Sequence, residues 1–227
     1  MTGLELLAVA LGMRHGLDPD HLAEVDGLAR LRPSPWIGLL FALGHGAVVT
    51  LLAFPAALVL QRIPWEEYHL FAWLLLLVGG LTLYRQAFSG RGGAQWSRAR
   101  LPVLNPLLLG ALFGLGFETA SQISALALSA QMHPLRLGLL FTLGMALVDG
   151  VDGLLAARLQ GLAQDSGRAQ RASGLLAYVV AFTAIGLALA GFLALDLEAL
   201  SLPLGLFLFT LLLSLRVYAL EAFFGRA

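Results

Sequence analysis

The sequence predicts an all-α protein that crosses a membrane about seven times. Of its 227 residues, 59% are hydrophobic and only 12% are charged, whereas soluble domains carry roughly 25% charged residues. Apolar stretches recur along the chain, each with about the 20 residues needed to cross a bilayer. The predicted spans are residues 3–25, 36–60, 67–88, 103–130, 136–158, 173–195 and 201–222. We treat residues 1–227 as a single transmembrane domain.

The first span contains a charged segment. Residues 14–21 read RHGLDPDH, which places two histidines, two aspartates and an arginine in an otherwise apolar stretch. The apolar start lacks a basic region and a small-residue cleavage site, so we interpret it as a spanning helix and not as a signal peptide. Because Pro19 cannot donate a backbone hydrogen bond to His15 and its ring crowds that turn, we expect the span to kink or break there.

Three further spans carry titratable groups near their centres. These are His45 in span two, Glu118 in span four, and Asp149 and Asp152 in span five. Spans three, six and seven have no acid or histidine there, and we interpret the last two as plain lipid-type helices. An ionisable group at the bilayer centre costs about 2.5 to 3.5 kcal/mol, so such groups usually line a pathway or bind something. Four helices therefore point titratable side chains at one level of the membrane.

Arginine residues determine the predicted orientation. Those that follow odd-numbered spans are Arg30, Arg32, Arg85, Arg91, Arg98, Arg100, Arg158, Arg168, Arg171 and Arg226, whereas the alternate loops hold only Arg62 and Arg136. Basic residues favour the cytoplasmic side, so loops 86–102 and 159–172 are predicted to be cytoplasmic. We expect a multi-pass protein of the plasma membrane, with its N-terminus outside and its C-terminus in the cytoplasm.

A weak internal repeat is visible about 100 residues apart. IGLLFALGHG at 37–46 matches LGLLFTLGMA at 137–146, and LGMRHG in span one matches FGLGFE in span four at Gly12 and Gly114. Repeats of three helices, 1–88 and 103–195, would be inverted in the membrane, as in many transporters, with the seventh helix added. The alternative is that any two helices rich in Leu and Gly look alike.

The buried polar groups suit a divalent ion of borderline softness. Imidazole favours Zn, Cu, Fe and Ni, carboxylates add hard oxygen donors, and the absence of cysteine excludes thiolate sites and disulfides. In a regular helix His15 and Asp18 share a face, as do Asp18 and His21, and a break between them would bring both imidazoles towards one ion. The alternative, interhelical salt bridges or hydrogen bonds, stays open for Asp18, Asp149 and Asp152.

Four segments, in order, resemble the nickel/cobalt transporter family. HGLDPDH at 15–21 resembles its H-x4-D-H signature, LGHGAVV at 43–49 resembles LGHSTVV, LGFETASQ at 115–122 resembles LGFDTATE, and GMALVDGVDG at 144–153 resembles GMxLxDTxDG. Together they span about residues 12 to 153. The resemblance implies a membrane transporter of Ni²⁺ and/or Co²⁺, with the first motif central to metal recognition. Family members typically have eight spans with this motif in the second, so the family's first helix is expected to be missing.

The resemblance assigns site residues by position. The predicted metal site comprises the residues matched in this way together with Asp18. These are His15, Asp18, Asp20, His21, His45, Glu118, Asp149 and Asp152. Within it, His15, His21 and His45 with Asp20 form the primary site, and Glu118 stands where the family has Asp. The chain departs from the family at Gly46-Ala47 (Ser-Thr in the family), Gln122 (Glu) and Gly150 (Thr). These departures leave selectivity open and fit a branch of the family labelled as urease accessory proteins.

The predicted function is therefore uptake of nickel and/or cobalt, driven by membrane potential or an ion gradient. Efflux and a metal-binding subunit of a larger importer remain alternatives. An intramembrane metalloenzyme is less favoured, because such proteases carry H-E-x-x-H and this chain has only His21-Leu22-Ala23-Glu24. We expect no enzymatic activity and no cofactor. The expected partners are the transported ion and the lipid bilayer, with no nucleic acid, and the sequence indicates neither the coupling ion nor the oligomeric state.

Overall fold

The computed structural model describes residues 2–54, 69–88, 105–116, 120–163 and 167–224. Every regular element in these ranges is helical. The α-helices are α1 (Gly3–Gly16), α2 (Pro19–Leu31), α3 (Ile37–Leu52), α4 (Leu70–Phe88), α5 (Pro106–Gly116), α6 (Ala120–Ala127), α7 (Pro134–Leu162), α8 (Gly167–Phe192) and α9 (Glu198–Phe224). A short 3₁₀ turn, Leu128–Ala130, follows α6.

Helices α4, α7, α8 and α9 contain stretches that are long and apolar enough to cross a membrane. Large apolar side chains on their outer faces are exposed, among them Leu139, Phe182 and Phe207. The interior, by contrast, holds a set of buried acids, histidines and arginines. Apolar groups outside and polar groups inside are what a lipid solvent requires. The predicted all-α, polytopic membrane fold is confirmed.

The first predicted span is two helices and not one. Helix α1 ends at Gly16, and α2 begins at Pro19. A residue that precedes proline is restricted to extended backbone, and Asp18 accordingly has φ −62° and ψ 143°. Proline is well suited to the first position of a helix, where no backbone donor is needed. The break expected at Pro19 is therefore present, and it lies on the N-terminal side of the proline.

Other predicted bounds also change. The span predicted at 103–130 contains α5, α6 and the 3₁₀ turn, and residues 117–119 between the two helices lie outside the described ranges. The loop predicted at 159–172 is shorter than expected, because α7 continues to Leu162 and α8 already begins at Gly167. Most of the loop predicted at 86–102 lies outside the described residues.

Glycines allow α1 to touch the backbone of α7. A Cβ atom built on Gly12 would lie 2.0 Å from the carbonyl oxygen of Phe141, and one built on Gly144 would lie 2.1 Å from the carbonyl oxygen of Val9. No side chain fits at such distances. Small residues that permit close backbone approach are typical of helix pairs in membranes.

The same contact recurs between α5 and α3. A Cβ on Gly110 would lie 2.0 Å from the Phe41 carbonyl oxygen, and one on Gly44 would lie 1.9 Å from the Leu107 carbonyl oxygen. The contacts thus match α1 with α5 at an offset of 98 residues and α3 with α7 at an offset of 100. In this register Gly12 corresponds to Gly110, whereas sequence matching pairs it with Gly114.

The directions of these helices support an inverted repeat. Successive contacts show that α1 runs parallel to α7, that α5 runs parallel to α3, and that α3 runs antiparallel to α7, so that α1 and α5 point in opposite directions. For α1 and α7, Gly12 lies next to Phe141 and Gly16 next to Met145. For α5 and α3, Gly110 lies next to Phe41 and Gly114 next to His45. For α3 and α7, Gly38 lies next to Asp149 and Gly46 next to Thr142. The repeat bounds, 1–88 and 103–195, remain a prediction.

Candidate metal centre

Three histidines from three helices meet inside the protein. His15 lies in the last turn of α1, His21 in the first turn of α2 and His45 in the middle of α3, and all three side chains are buried. Each contributes a ring nitrogen, and these nitrogens all lie within 4.8 Å of one another. We call this group the histidine centre. The break between α1 and α2 and the crossing of α3 bring the three side chains together.

Carboxylates hold the outer ring nitrogens of two of these histidines. Asp18 Oδ2 lies 3.1 Å from His15 Nδ1, and Asp149 Oδ2 lies 3.1 Å from His21 Nδ1. Ser201 of α9 donates a hydrogen bond of 2.6 Å to Asp18 Oδ1. Because an ionised carboxylate only accepts, a neutral imidazole in this contact carries its proton on Nδ1 and has a lone pair on Nε2. Carboxylates placed in this way orient metal-binding imidazoles and raise their basicity.

Two of the inward nitrogens have a spacing that suits one shared ion. His15 Nε2 and His45 Nε2 lie 3.0 Å apart. Two nitrogens bound to one ion at about 2.1 Å lie roughly 3.0 to 3.4 Å apart at octahedral to tetrahedral angles. His21 Nε2 has no hydrogen-bond partner among the described residues. The His15 and His45 donors therefore have the spacing of two ligands of one ion, and all three ligand nitrogens lie within 4.8 Å of one another.

Glycines on either side of His45 let α3 approach two neighbouring helices. A Cβ at Gly44 would collide with the backbone of α5, and a Cβ at Gly46 would lie 2.0 Å from the hydroxyl oxygen of Thr142 on α7. His45 thus lies where α3 contacts both helices. Phenylalanines enclose the centre, with the His21 ring 5.2 Å from that of Phe41 and the His15 ring 5.5 Å from that of Phe141.

The other predicted site residues have separate positions. Asp20 is buried, and its Oδ2 has no partner among the described residues, but it is not one of the three converging donors. Asp152 Oδ1 accepts a hydrogen bond of 2.6 Å from Arg216. Glu118 lies outside the described residues. The structure therefore brings together His15, His21 and His45, with Asp18 and Asp149 behind them; metal ligation itself remains a prediction.

A second buried group, missed by the sequence analysis, surrounds Arg216 of α9. Its guanidinium donates to Asp152 and, at 2.7 Å, to Asp26 Oδ1, and Asp26 also accepts from Arg30 at 2.5 Å. Arg30 in turn donates to the backbone oxygen of Ser173 on α8. We call Asp26, Arg30, Asp152 and Arg216 the Arg–Asp cluster. The interpretation of the seventh span as a plain lipid-type helix was wrong, and the signal was available: an arginine within an apolar helix needs a buried acid.

Known proteins with similar sequences are metal transporters by name. Residues 104–203 match the family described as "High-affinity nickel-transport protein". The "High-affinity nickel transport protein" of Cupriavidus necator is 30% identical over 210 residues, which cover 68% of this chain and 59% of the relative. The "Cobalt transport protein NhlF" of Rhodococcus rhodochrous is 30% identical over 175 residues, covering 57% and 50%. No solved structure gives a significant match.

Fold and site together define the chain as a helical membrane protein with a buried histidine centre. Its sequence is similar to the nickel/cobalt transporter family, as the family match over residues 104–203 and these relatives show. That family consists of transporters and not of enzymes. The chain spans 50% to 61% of the length of the first three relatives, which include the "Nickel transporter NixA" of Staphylococcus aureus.

Proposed function

We propose that the chain takes up Ni²⁺ and/or Co²⁺ across the plasma membrane and binds the ion at the histidine centre on the way. The observation that carries this proposal is the set of three buried imidazoles whose ligand nitrogens converge within 4.8 Å. The printed names of its relatives, nickel and cobalt transport proteins, support the choice of ion. Three imidazole donors also suit borderline divalent ions.

The charge of the centre supports a divalent cargo. Metal-binding imidazoles are neutral, and the two carboxylates hydrogen-bonded to them, Asp18 and Asp149, contribute two negative charges. A divalent cation would neutralise this buried group. In the same proposal Asp20 and Glu118 serve as additional acids of the site or of the path to it, whereas Asp152, also predicted as a site residue, is paired with Arg216.

Uptake is the direction that the membrane potential favours. Each charge that moves inward across 100 mV releases about 2.3 kcal/mol, so a divalent ion releases about 4.6 kcal/mol. At 1.4 kcal/mol per tenfold change, this supports roughly a thousandfold accumulation. A potential or an ion gradient is therefore sufficient, without a nucleotide-hydrolysing domain.

Flux into proteoliposomes that contain only the purified chain tests this function. We expect Ni²⁺ or Co²⁺ to accumulate when the interior is negative and to stop accumulating when the potential is collapsed. Accumulation of the ion inside the liposomes when the interior is positive would indicate efflux. Absence of flux from the purified chain, with metal binding retained, would indicate a subunit of a larger importer and would overturn the proposal.

We further propose that the N-terminus is extracytoplasmic and the C-terminus cytoplasmic, because the arginine-rich connections follow the odd-numbered spans. The chain contains no cysteine, so single cysteines are informative. In intact cells an impermeant thiol reagent should label Gln131→Cys and not Gln95→Cys. The opposite labelling pattern would contradict this orientation.

A further inference from the structure

Two buried acids next to the histidine centre have carboxylate oxygens without a hydrogen-bond partner among the described residues. Glu24 is 0% exposed, and neither of its carboxylate oxygens has a hydrogen-bond partner among the described residues. Asp20 is 4% exposed, and its Oδ2 is likewise without a partner in that part of the chain. The two residues are four apart on α2, which places them on the same face of the helix.

The remaining buried acids of the described ranges are all paired. Glu5 contacts Arg136, Asp18 and Asp149 contact histidines, and Asp26 and Asp152 contact arginines. In contrast, the Glu24 carboxyl interacts electrostatically with Asp20, which carries charge of the same sign. A buried acid next to a like charge either keeps its proton or binds a cation, because water cannot stabilise the ionised form there.

The position of this pair places it on a path away from the histidine centre. Glu24 is three residues beyond His21, or about 4.5 Å along the axis of α2. Asp26 of the Arg–Asp cluster follows two residues later. Along α2, Asp20 therefore lies beside the imidazole of His21, and Glu24 lies one turn further on, towards the acids that arginine already neutralises.

We propose that Glu24 and Asp20 form a second cation site, where the divalent ion rests after it leaves the imidazole nitrogens. This inference rests on the proposed transport function and adds a second binding site to the path of the ion. The second cation site offers only carboxylate oxygens from Glu24 and Asp20, so it favours hard ions more than the histidine centre does. A site with hard oxygen donors that follows a site with borderline imidazole donors binds the ion more weakly, so the ion can dissociate from it.

Binding of Mn²⁺, a hard ion that electron paramagnetic resonance can count, tests the second site in the purified full-length chain. The double variant His15→Ala/His21→Ala, which lacks the histidine centre, should still bind one Mn²⁺. Adding Glu24→Gln should weaken that binding at least tenfold, whereas adding Glu198→Gln, a control at an exposed glutamate, should leave it unchanged. Equal Mn²⁺ binding with and without Glu24→Gln would overturn the second site.

The single variant Glu24→Gln separates this proposal from a structural role and from the transport proposal. Glutamine keeps the shape and removes the charge, so Tm should not fall, and tight Ni²⁺ binding at the histidine centre should persist while Ni²⁺ flux drops. A lowered Tm with unchanged Mn²⁺ stoichiometry would show that Glu24 is structural and would overturn the inference. Failure of the transport proposal would be seen separately, as absence of Ni²⁺ flux in the unmodified chain.

Discussion

The histidine centre and the Arg–Asp cluster are both buried groups that join several helices, but they differ in what neutralises them. In the Arg–Asp cluster, two arginines balance two aspartates within the chain. In the histidine centre, two aspartates contact the Nδ1 atoms of His15 and His21, and the Nε2 atoms of His15 and His45 lie 3.0 Å apart. Where the protein supplies its own cations, the group holds helices together; where it supplies only donors and negative charge, we propose that an ion comes from outside.

The two groups also differ in their reach along the sequence. Arg216 is 190 residues from Asp26 and 64 from Asp152, and it fastens α9 to α2 and α7. His15 and Asp18 are three residues apart and belong to the same helix break. The Arg–Asp cluster thus joins helices that are distant in sequence. The histidine centre, by contrast, is formed in part by one local segment and is completed by α3 and α7.

The largest expected effect is on stability, from Arg216→Met. Removing this guanidinium leaves Asp26 and Asp152 short of a cation inside the protein, and breaking one side of a buried ion pair costs about 3 to 5 kcal/mol. Thermal unfolding in detergent should show a clearly lowered Tm. Arg158→Met, at an exposed position of α7, is the matched control and should have little effect.

A compensating change sharpens this comparison. Asp152→Asn introduced together with Arg216→Met removes one of the uncompensated negative charges, so part of the lost stability should return. An Arg216→Met variant as stable as the unmodified chain would show that the Arg–Asp cluster does not stabilise the fold.

The next effect is on metal binding, from His15→Ala or His21→Ala. Each variant removes one of three imidazole donors, so Ni²⁺ affinity measured by calorimetry should fall at least tenfold, or 1.4 kcal/mol. Tm without metal should change little compared with Arg216→Met. His133→Ala, at an exposed position, is the control. Unmodified affinity in both histidine variants would rule out the centre as the metal site.

A smaller loss is expected from Asp149→Asn. The amide keeps the shape of the side chain but removes the charge that orients the His21 ring, and such outer-partner changes typically cost 10 to 100-fold in affinity. We expect the low end, about tenfold, because all three imidazole donors remain. If Asp149 instead binds the ion directly, the loss should equal or exceed that of His21→Ala in the same titration.

The comparison also shows which features the sequence can predict. His15, His21, His45, Asp18 and Asp149 were identifiable because acids and imidazoles are rare and costly at membrane depth. Their division into inward nitrogens and outer carboxylates was not, because ring orientation depends on packing among α2, α3 and α7. The pairing of Arg216 was missed because one arginine in an apolar helix does not reveal its partners 64 and 190 residues away.

The smallest expected effect is from Pro19→Ala, which tests whether the helix break shapes the centre. Asp18 has extended backbone because proline follows it, and alanine lifts this restriction. If α1 and α2 joined into one helix, His15 and His21 would point about 120° apart around its axis and could no longer share an ion. The hydrogen bond from Ser201 of α9 to Asp18 Oδ1 opposes this change, and the contact of Asp18 Oδ2 with His15 ties that histidine to the held aspartate.

Because these side-chain contacts persist in the variant, we expect Ni²⁺ affinity to fall by less than about tenfold, below the effect of an outer carboxylate. Pro134→Ala is the matched control, since Pro134 also opens a helix but is not among the residues of the centre. Calorimetry on both variants gives the comparison. Equal affinity in the two would show that Asp18 and Ser201 alone maintain the break; a loss as large as that of His15→Ala would show that the proline holds the centre together.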